Sequence, residues 1–227
     1  MATFEELQER LRHPPIPADD DWINANAEFV WPIPLWARTP QVVRSPNGFP
    51  YFVLWPSPSG ENCQPASVAA IFEFARDNFW GIVIFDDDSR PLWELTHGQI
   101  LSWQLYGKPN PPRFWNIPKE EWGAEGLKDV EMWLLGAPSE EMLPPLVRRS
   151  LRYAMKERLG IERPRVGNIV RPHQPGVGRI VFDLDPAVLG GEQGVERAYH
   201  LLVWYFPYCI PSLGMATMAN SSWMVEL

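Results

Sequence analysis

Apolar positions recur at helical spacing in the first third of the chain. Residues 4–11 follow a capping-box pattern made by Thr3 and Glu6, and Pro14–Pro15 end the stretch, so a short first helix is predicted. A second helix of about three turns is predicted to begin near Ser67, because one apolar face follows that residue. The residues of this face are Val68, Ile71, Phe72, Ala75 and Phe79.

The second half of the chain carries two more helical stripes. Ser139 is predicted to open a helix that has prolines near its first turn. Its apolar stripe consists of Leu146, Val147, Ser150, Leu151, Ala154, Met155 and Leu159. A last helix is predicted from the spacing of Val195, Tyr199, Leu202 and Phe206.

Short runs of aromatic and branched residues alternate with these helices and predict strands. The stretches "AEFVWPIPLW" and "GFPYFVLW" are interrupted by Pro and Gly, which indicates short strands near a sheet edge. The runs "WGIVIF" and "LWEL" flank the polar turn "DDDSRP" and predict a hairpin. Later, "RVGNIV" and "GRIVFDLD" flank a "HQPGVG" turn, and "SSWMVEL" predicts a closing strand.

The stretch "LTHGQI" contains a histidine between a hydroxyl residue and a glycine. Thr96 and Gln99 match the capping box, and Leu95 and Ile100 match the hydrophobic staple that accompanies it. His97 is therefore predicted to be the first residue of a helix. We interpret it as a surface histidine rather than a catalytic one, since no nucleophile or carboxylate stands at a recognisable spacing from it.

The order of these elements predicts an α+β fold, in which small mixed sheets are packed by helices. Residues 107–126 are rich in Pro, Gly and Trp, which is typical of a long connection held down by aromatic side chains. We therefore predict two modules, residues 1–125 and residues 126–227. The 25 prolines of the chain shorten its regular elements, and its 12 tryptophans are the natural side chains to pack the resulting loops.

The 227 residues carry a formal net charge of −8, which disfavours nonspecific attraction to nucleic acid or to an anionic membrane. The amino-terminal stretch lacks the apolar core of a signal peptide, and no apolar run reaches membrane-spanning length. Only Cys63 and Cys209 are present, in no metal-ligand spacing, so neither a disulfide framework nor a zinc site is expected. These features predict a cytoplasmic protein without a cofactor.

Three features could carry chemistry, and each also has a structural interpretation. The carboxylates of Asp86–Asp88 could bind a divalent cation, but a solvated hairpin turn is the simpler interpretation. Asp183 and Asp185 share one face of a strand, yet they stand at its end, beside Pro186. Cys63 precedes a predicted helix whose N-terminus would favour the thiolate. The histidine base of such an enzyme could be His97, His173 or His200.

The strongest charge signal lies between residues 148 and 165. Seven basic residues there oppose two acidic ones, which leaves a local excess of five positive charges. The predicted binding residues are Arg148, Arg149, Arg152 and Lys156. A solvated outer helix face is the alternative interpretation. As a binding face, the segment would contact an acidic protein surface or nucleic acid, although only Tyr153 supplies an aromatic side chain of the type that stacks on single-stranded nucleic acid.

Two segments resemble the bacterial SseB family, named for enhanced serine sensitivity. The order of "ASVAAIFEFA", "GIVIF" and "LWELTHGQILSWQLYG" is similar to the N-terminal module of that family. The segment "LPPLVRRSLRYAMKERLGIERPRVGNIV", followed by "GRIVFDLD", is similar to its C-terminal module. The resemblance implies an α+β protein in which no catalytic residues are established.

The function predicted from these observations is binding of another protein. Nucleotide-binding and hydrolase motifs are missing from the sequence, and aromatic residues in loops are favoured at interfaces. A non-catalytic cytoplasmic regulatory protein, of immunity or adaptor type with a basic partner, fits the acidic charge. The alternative is a Cys-dependent enzyme that uses Cys63 with a histidine base.

Overall fold

The computed structural model describes residues 3–11, 20–58, 62–112, 134–170, 178–210, 212–216 and 222–227. The chain divides into two compact units, Met1–Pro111 and Pro112–Leu227. The predicted module boundary at residues 125 and 126 lies outside the described residues, as do most of the "HQPGVG" turn and Pro14–Pro15, so these predictions stay predictions.

The described helices of the first unit are α1 (Phe4–Leu11), α2 (Asp20–Val30), α3 (Val68–Asp77) and α4 (His97–Tyr106). Three of the four, α1, α3 and α4, begin where the sequence provides caps. The predicted capping box before α1 is present, since the backbone N–H of Thr3 donates to Glu6 at 2.8 Å and that of Glu6 to the Thr3 hydroxyl at 3.2 Å. Ser67 caps α3 as expected, with its hydroxyl accepting from Ala70 N–H. The amphipathic pattern therefore located α1 and α3 correctly, but Phe79 of the predicted face lies beyond the end of α3, where its φ is 60°.

The described strands of the first unit form two sheets. The bounds are β1 (Leu35–Ala37), β2 (Val42–Arg44), β3 (Pro50–Leu54), β4 (Gln64–Ala66), β5 (Gly81–Phe85) and β6 (Pro91–Leu95). β1 and β4 pair with each other, and the larger sheet has the order β2-β3-β5-β6. β3 and β5 are parallel and are connected through α3, while β5 and β6 form the predicted antiparallel hairpin.

Two predictions for this region are wrong. Residues 27–30 of the "AEFVWPIPLW" stretch belong to α2 rather than to a strand. β3 lies inside its sheet, with every residue buried, instead of at an edge. Its location follows from the parallel pairing with β5, a long-range contact that local Pro and Gly residues do not reveal.

One face of the larger sheet carries the core of this unit. Its buried strand residues are Phe52, Leu54, Ile82, Ile84, Trp93 and Leu95, and all four helices contribute buried side chains to the same cluster. Trp31, just after α2, packs against Phe72 and Trp103 with ring centroids 5.0 and 4.5 Å apart. This tryptophan therefore holds a turn against the helices, as expected from composition.

The described residues of the second unit form one sheet and three helices. The elements are β7 (Leu134–Gly136), α5 (Pro145–Tyr153), β8 (Arg165–Val170), β9 (Gly178–Leu184), α6 (Pro186–Leu189), α7 (Glu192–Tyr205), β10 (Ser212–Ala216) and β11 (Val225–Glu226). α5 continues as a π-helical turn over Ala154–Arg158. The helix does not open at Ser139 as predicted, because Ser139 forms a separate turn and Pro144 is the N-cap.

The sheet of this unit has the order β10-β9-β8-β11, and β7 also pairs with β8. β8 and β9 are antiparallel, whereas β10 is parallel to β9. The Trp223 ring lies against Gly167 of β8 so closely that an added Cβ there would be 2.0 Å from it. Both units thus combine helices with small mixed sheets, and the predicted α+β class is confirmed.

Candidate functional site

An open cavity of about 510 Å³ lies along β6 in the first unit. Four consecutive residues of that strand, Pro91–Glu94, line it. Because successive side chains of a strand point to opposite faces, a cavity lined by four in a row follows the strand's edge rather than one face of the sheet. Trp22 and Ile23 of α2 form the other wall, and Thr96 and Gln99 close one end. We call this cavity the β6 groove.

The wall from α2 is positioned by a buried pair of asparagines. Asn24 donates to the backbone carbonyl of Asn110 at 2.6 Å and accepts from its backbone N–H at 2.9 Å. The Asn110 amide nitrogen also donates to Asp20 at 3.0 Å. These bonds join the first turns of α2 to the segment after α4, because buried amides require partners. They place Trp22 and Ile23 opposite β6.

The closed end of the β6 groove is built by the capping box of α4. Thr96 N–H donates to Gln99 Oε1 at 2.8 Å, and Gln99 N–H donates to Thr96 Oγ1 at 3.2 Å, as the sequence predicted. The remaining Gln99 donor, Nε2, bonds to Asn110 Oδ1 at 3.0 Å. Gln99 therefore links the start of α4 to the buried asparagine pair.

Glu94 is the ionisable residue of the groove lining. It is solvent-accessible, yet the apolar surroundings of its carboxyl group remove enough water to raise its pKa. Its carboxylate makes no ion pair or hydrogen bond with any described residue. A carboxylate in this setting is suited to a cationic group of a ligand, because a partner charge would compensate the lost hydration.

The unit that contains the β6 groove carries a negative net charge, as the Glu94 carboxylate does. Residues 1–111 contain fourteen Asp and Glu against seven Lys and Arg, a formal charge of −7 out of −8 for the whole chain. Asp20 and Asp21 lie in the first turn of α2, directly before the groove residues Trp22 and Ile23. The β6 groove is thus an apolar cleft in an acidic unit, which favours basic ligands.

The four basic residues predicted to bind a partner lie on α5 and the π-helical turn. Arg148 is half-buried and donates to the carbonyls of Leu143 at 2.9 Å and Pro138 at 2.7 Å. Arg152 donates to the Leu227 carbonyl at 2.7 Å. Arg149 and Lys156 are exposed. Two of the four side chains thus hold the chain's own backbone, and the binding role of the set stays a prediction.

Cys63 lies in front of β4, which separates it from α3. The thiol is therefore not in the first turn of that helix. Cys63 is half-exposed and is not part of a disulfide. His200 lies on α7, 4.0 Å from Glu196, and His173 is outside the described residues. The pairing of Cys63 with a histidine base stays a prediction.

His97 begins α4, as predicted, but it is fully buried rather than a surface residue. Its Nδ1 atom lies 3.4 Å from the Trp80 carbonyl oxygen, and its ring packs 5.7 Å from the Phe79 ring. The prediction of exposure is wrong because residues 79 and 80, which precede β5, fold over the first turn of α4. His97 is a core residue of this unit.

The carboxylates of Asp86–Asp88 interact with other groups of the chain. Asp86 accepts from Arg90 N–H at 2.8 Å, and Asp88 lies 3.2 Å from the Arg90 guanidinium. Asp87 accepts from the Ser57 hydroxyl at 3.0 Å. The described ranges contain no group of three or more His, Cys, Asp or Glu side chains placed to hold a metal ion.

Asp183 and Asp185 have different roles at the end of β9. Asp185 caps α6, accepting from Ala187 N–H at 2.8 Å. Asp183 is largely buried, which raises the pKa of its carboxyl; Arg165, 3.7 Å away, opposes that shift and Asp185 adds to it. The strand-end interpretation therefore accounts for Asp185. Asp183 is a largely buried carboxylate, and Arg165 opposes only part of the rise in its pKa.

The sequence did not point to the β6 groove. The one local signal was Glu94, a lone charge within the apolar "LWEL" strand, because a charged residue is a common feature of edge strands. Trp22 and Ile23 carried no such signal, since α2 itself was not predicted.

Among the described residues, no helix is both long and apolar enough to span a bilayer. The chain matches no protein-family model, no curated protein and no solved structure.

Proposed function

We propose that the chain is a non-catalytic protein-binding protein of the bacterial cytoplasm, of regulatory, immunity or adaptor type, and that the β6 groove is its contact site. The observation that carries the proposal is an open cleft of about 510 Å³ that two tryptophans line beside a strand edge. Ligand pockets of about 300–1,000 Å³ are usual, and tryptophan is enriched among residues that dominate binding energy.

A partner with basic character fits the site. The −7 charge of residues 1–111 attracts cationic surfaces and repels acidic ones. The apolar walls contribute contact area, while the acidic side chains around them provide selectivity. The same charge disfavours nucleic acid as the ligand of this unit.

The proposal is tested with a phage-displayed library of random dodecapeptides, selected on the full chain. Selected peptides are then measured against Ile23→Ser and against Val188→Ser, a matched loss of a branched apolar side chain outside the groove. Ile23 is half-buried in the groove wall, and Val188 is 59% exposed on α6. Both substitutions replace a side chain that is not in the buried core, so folding should be retained.

We expect Ile23→Ser to weaken peptide binding and Val188→Ser to leave it unchanged. Completing the burial of a half-exposed Ile contributes about 1 kcal/mol, which corresponds to about fivefold in Kd. Peptides that bind the wild type and both variants equally would show that the groove is not the site. A selection that enriches no peptide would argue against protein binding through this unit.

A further inference from the structure

β6 is an edge strand of its sheet. In the order β2-β3-β5-β6 it pairs with β5 alone, and no described strand lies against its other side. Residues 92–95 form no backbone hydrogen bond outside that pairing with any described residue. Each non-proline residue of a strand has one backbone donor and one acceptor, and alternate residues direct theirs away from the neighbour, so this edge offers unused backbone groups after Pro91, which has no N–H.

The β6 groove lies against these unused groups. Its strand side is formed by Pro91–Glu94, and its far side by Trp22 and Ile23. A peptide in extended form would place its backbone along β6 and its side chains alternately toward the two faces of the sheet. A helix in the same groove would bury its own backbone bonds and leave the strand edge unused. The geometry therefore favours an extended ligand.

Glu94 determines which extended segment fits. In the sheet register it stands opposite Val83, and its side chain shares the face of that residue. An added strand would bring one of its residues beside Glu94 on the other side. Opposite charges at such cross-strand positions stabilise pairing and like charges oppose it, so a basic residue is selected there. Asp20 and Asp21 add negative charge near the same groove.

Resting on the proposed function of the β6 groove, we propose that the outer edge of β6 adds an extended peptide strand with a Lys or Arg side chain against Glu94. A second copy of the chain is a poorer occupant. It would bring together two units of −7 charge and two Glu94 carboxylates. A basic peptide instead compensates the negative charge of the unit and that of the Glu94 carboxylate.

The test uses three pools of N-acetylated, C-amidated heptapeptides that differ at the central position, which is Lys, Gln or Glu. Val and Thr fill the other positions, since both favour extended backbone. Binding to the full chain is measured by fluorescence anisotropy for the wild type, Glu94→Gln and the control Glu73→Gln. Glu73 is an exposed acidic residue of α3 and does not line the groove.

We expect the Lys pool to bind the wild type and Glu73→Gln up to about fivefold more tightly than the Gln pool, and the Glu pool to bind most weakly. In Glu94→Gln the Lys and Gln pools should bind equally. Methylation of single backbone nitrogens in the best Lys peptide should reduce binding at every second position, because alternate N–H groups face β6.

Several results would overturn strand addition. These are equal binding of the three pools to the wild type, a Lys preference that persists in Glu94→Gln, and methylation effects without a period of two. If the pools fail but library-selected dodecapeptides still lose affinity in Ile23→Ser, the proposed function stands and this inference falls. A dimer in sedimentation velocity that the heptapeptides cannot dissociate would mean that a second copy occupies the edge, and would also overturn it.

Discussion

Gln99 connects the start of α4 to the polar network beside the β6 groove, so replacing it should loosen that end of the first unit. In Gln99→Ala, Thr96 N–H loses its acceptor at 2.8 Å, and Asn110 Oδ1 loses its donor at 3.0 Å. Asn110 is only 5% exposed, so water cannot freely replace that donor. The Thr96 hydroxyl still caps the helix, because it accepts from the backbone N–H of residue 99.

The expected cost is about 2 kcal/mol. Each lost hydrogen bond contributes about 1 kcal/mol, and leaving a buried acceptor unpaired adds a further penalty that the higher helix propensity of Ala partly offsets. With a urea dependence of about 2 kcal/mol per M for a unit of this size, the unfolding midpoint should fall by about 1 M. Gln99→Glu keeps an acceptor for Thr96 N–H but cannot donate to Asn110, so we expect about half this loss.

Urea unfolding followed by far-UV circular dichroism gives the midpoints. Amide hydrogen exchange with mass spectrometry assigns the change to a segment, which is needed because two compact units need not unfold together. Exchange should accelerate in residues 96–110 and stay unchanged in residues 165–184. The hydrogen bonds of Gln99 do not stabilise this end of the unit if the free energy of unfolding of Gln99→Ala is within about 0.5 kcal/mol of the wild-type value. The same conclusion follows if Gln99→Glu is as unstable as Gln99→Ala.

Three further outcomes can be measured. Gly167→Ala should destabilise the second unit by at least about 2 kcal/mol and change the near-UV circular dichroism of Trp223, whereas Gly136→Ala, with nothing within 4 Å of the added methyl, should do neither. Equal stabilities of the two variants would contradict this. Burial raises the pKa of Asp183, so the folded state holds this proton more tightly than the unfolded state. The protonated acid thus stabilises the fold at low pH, and that stability is lost as pH rises from about 4 through the raised pKa of Asp183. Over this rise, Asp183→Asn should therefore gain stability relative to the wild type. A stability difference that does not change with pH would refute the raised pKa of Asp183. A nonspecific DNA duplex should show no micromolar binding by anisotropy at about 150 mM salt, given the net charge of −8, and such binding would move nucleic acid ahead of protein as the partner.

Features with local causes were predictable from the sequence. The capping box of Thr96 and Gln99 requires only two residues three apart, and α3 follows from apolar spacing within one segment. α2 was missed because its buried face includes Asn24 and Asn26, which a hydrophobic pattern counts as polar. Asn24 pairs with Asn110, far along the chain, and Asn26 donates to the Trp22 carbonyl, and these bonds offset part of the cost of burying the amides.

The candidate site depends on contacts of the same long-range kind. The β6 groove exists because α2 stands beside a strand about 70 residues later in the sequence. No periodicity in either segment specifies that approach. The burial of His97 has a similar origin, since Trp80 and Phe79 contribute its surroundings. Sequence patterns therefore located most elements, whereas the cleft between elements required the structure.

The uneven distribution of charge has a consequence for the kinetics of binding. Most acidic side chains among residues 1–111 lie outside the β6 groove, so they act on a basic partner through space and before contact. Such charges mainly accelerate encounter, while the buried apolar walls set the lifetime of the complex. Under the proposed function, added salt should slow association strongly and change dissociation little. The protein would then find its partner quickly in dilute solution yet release it at a rate determined by a few apolar contacts.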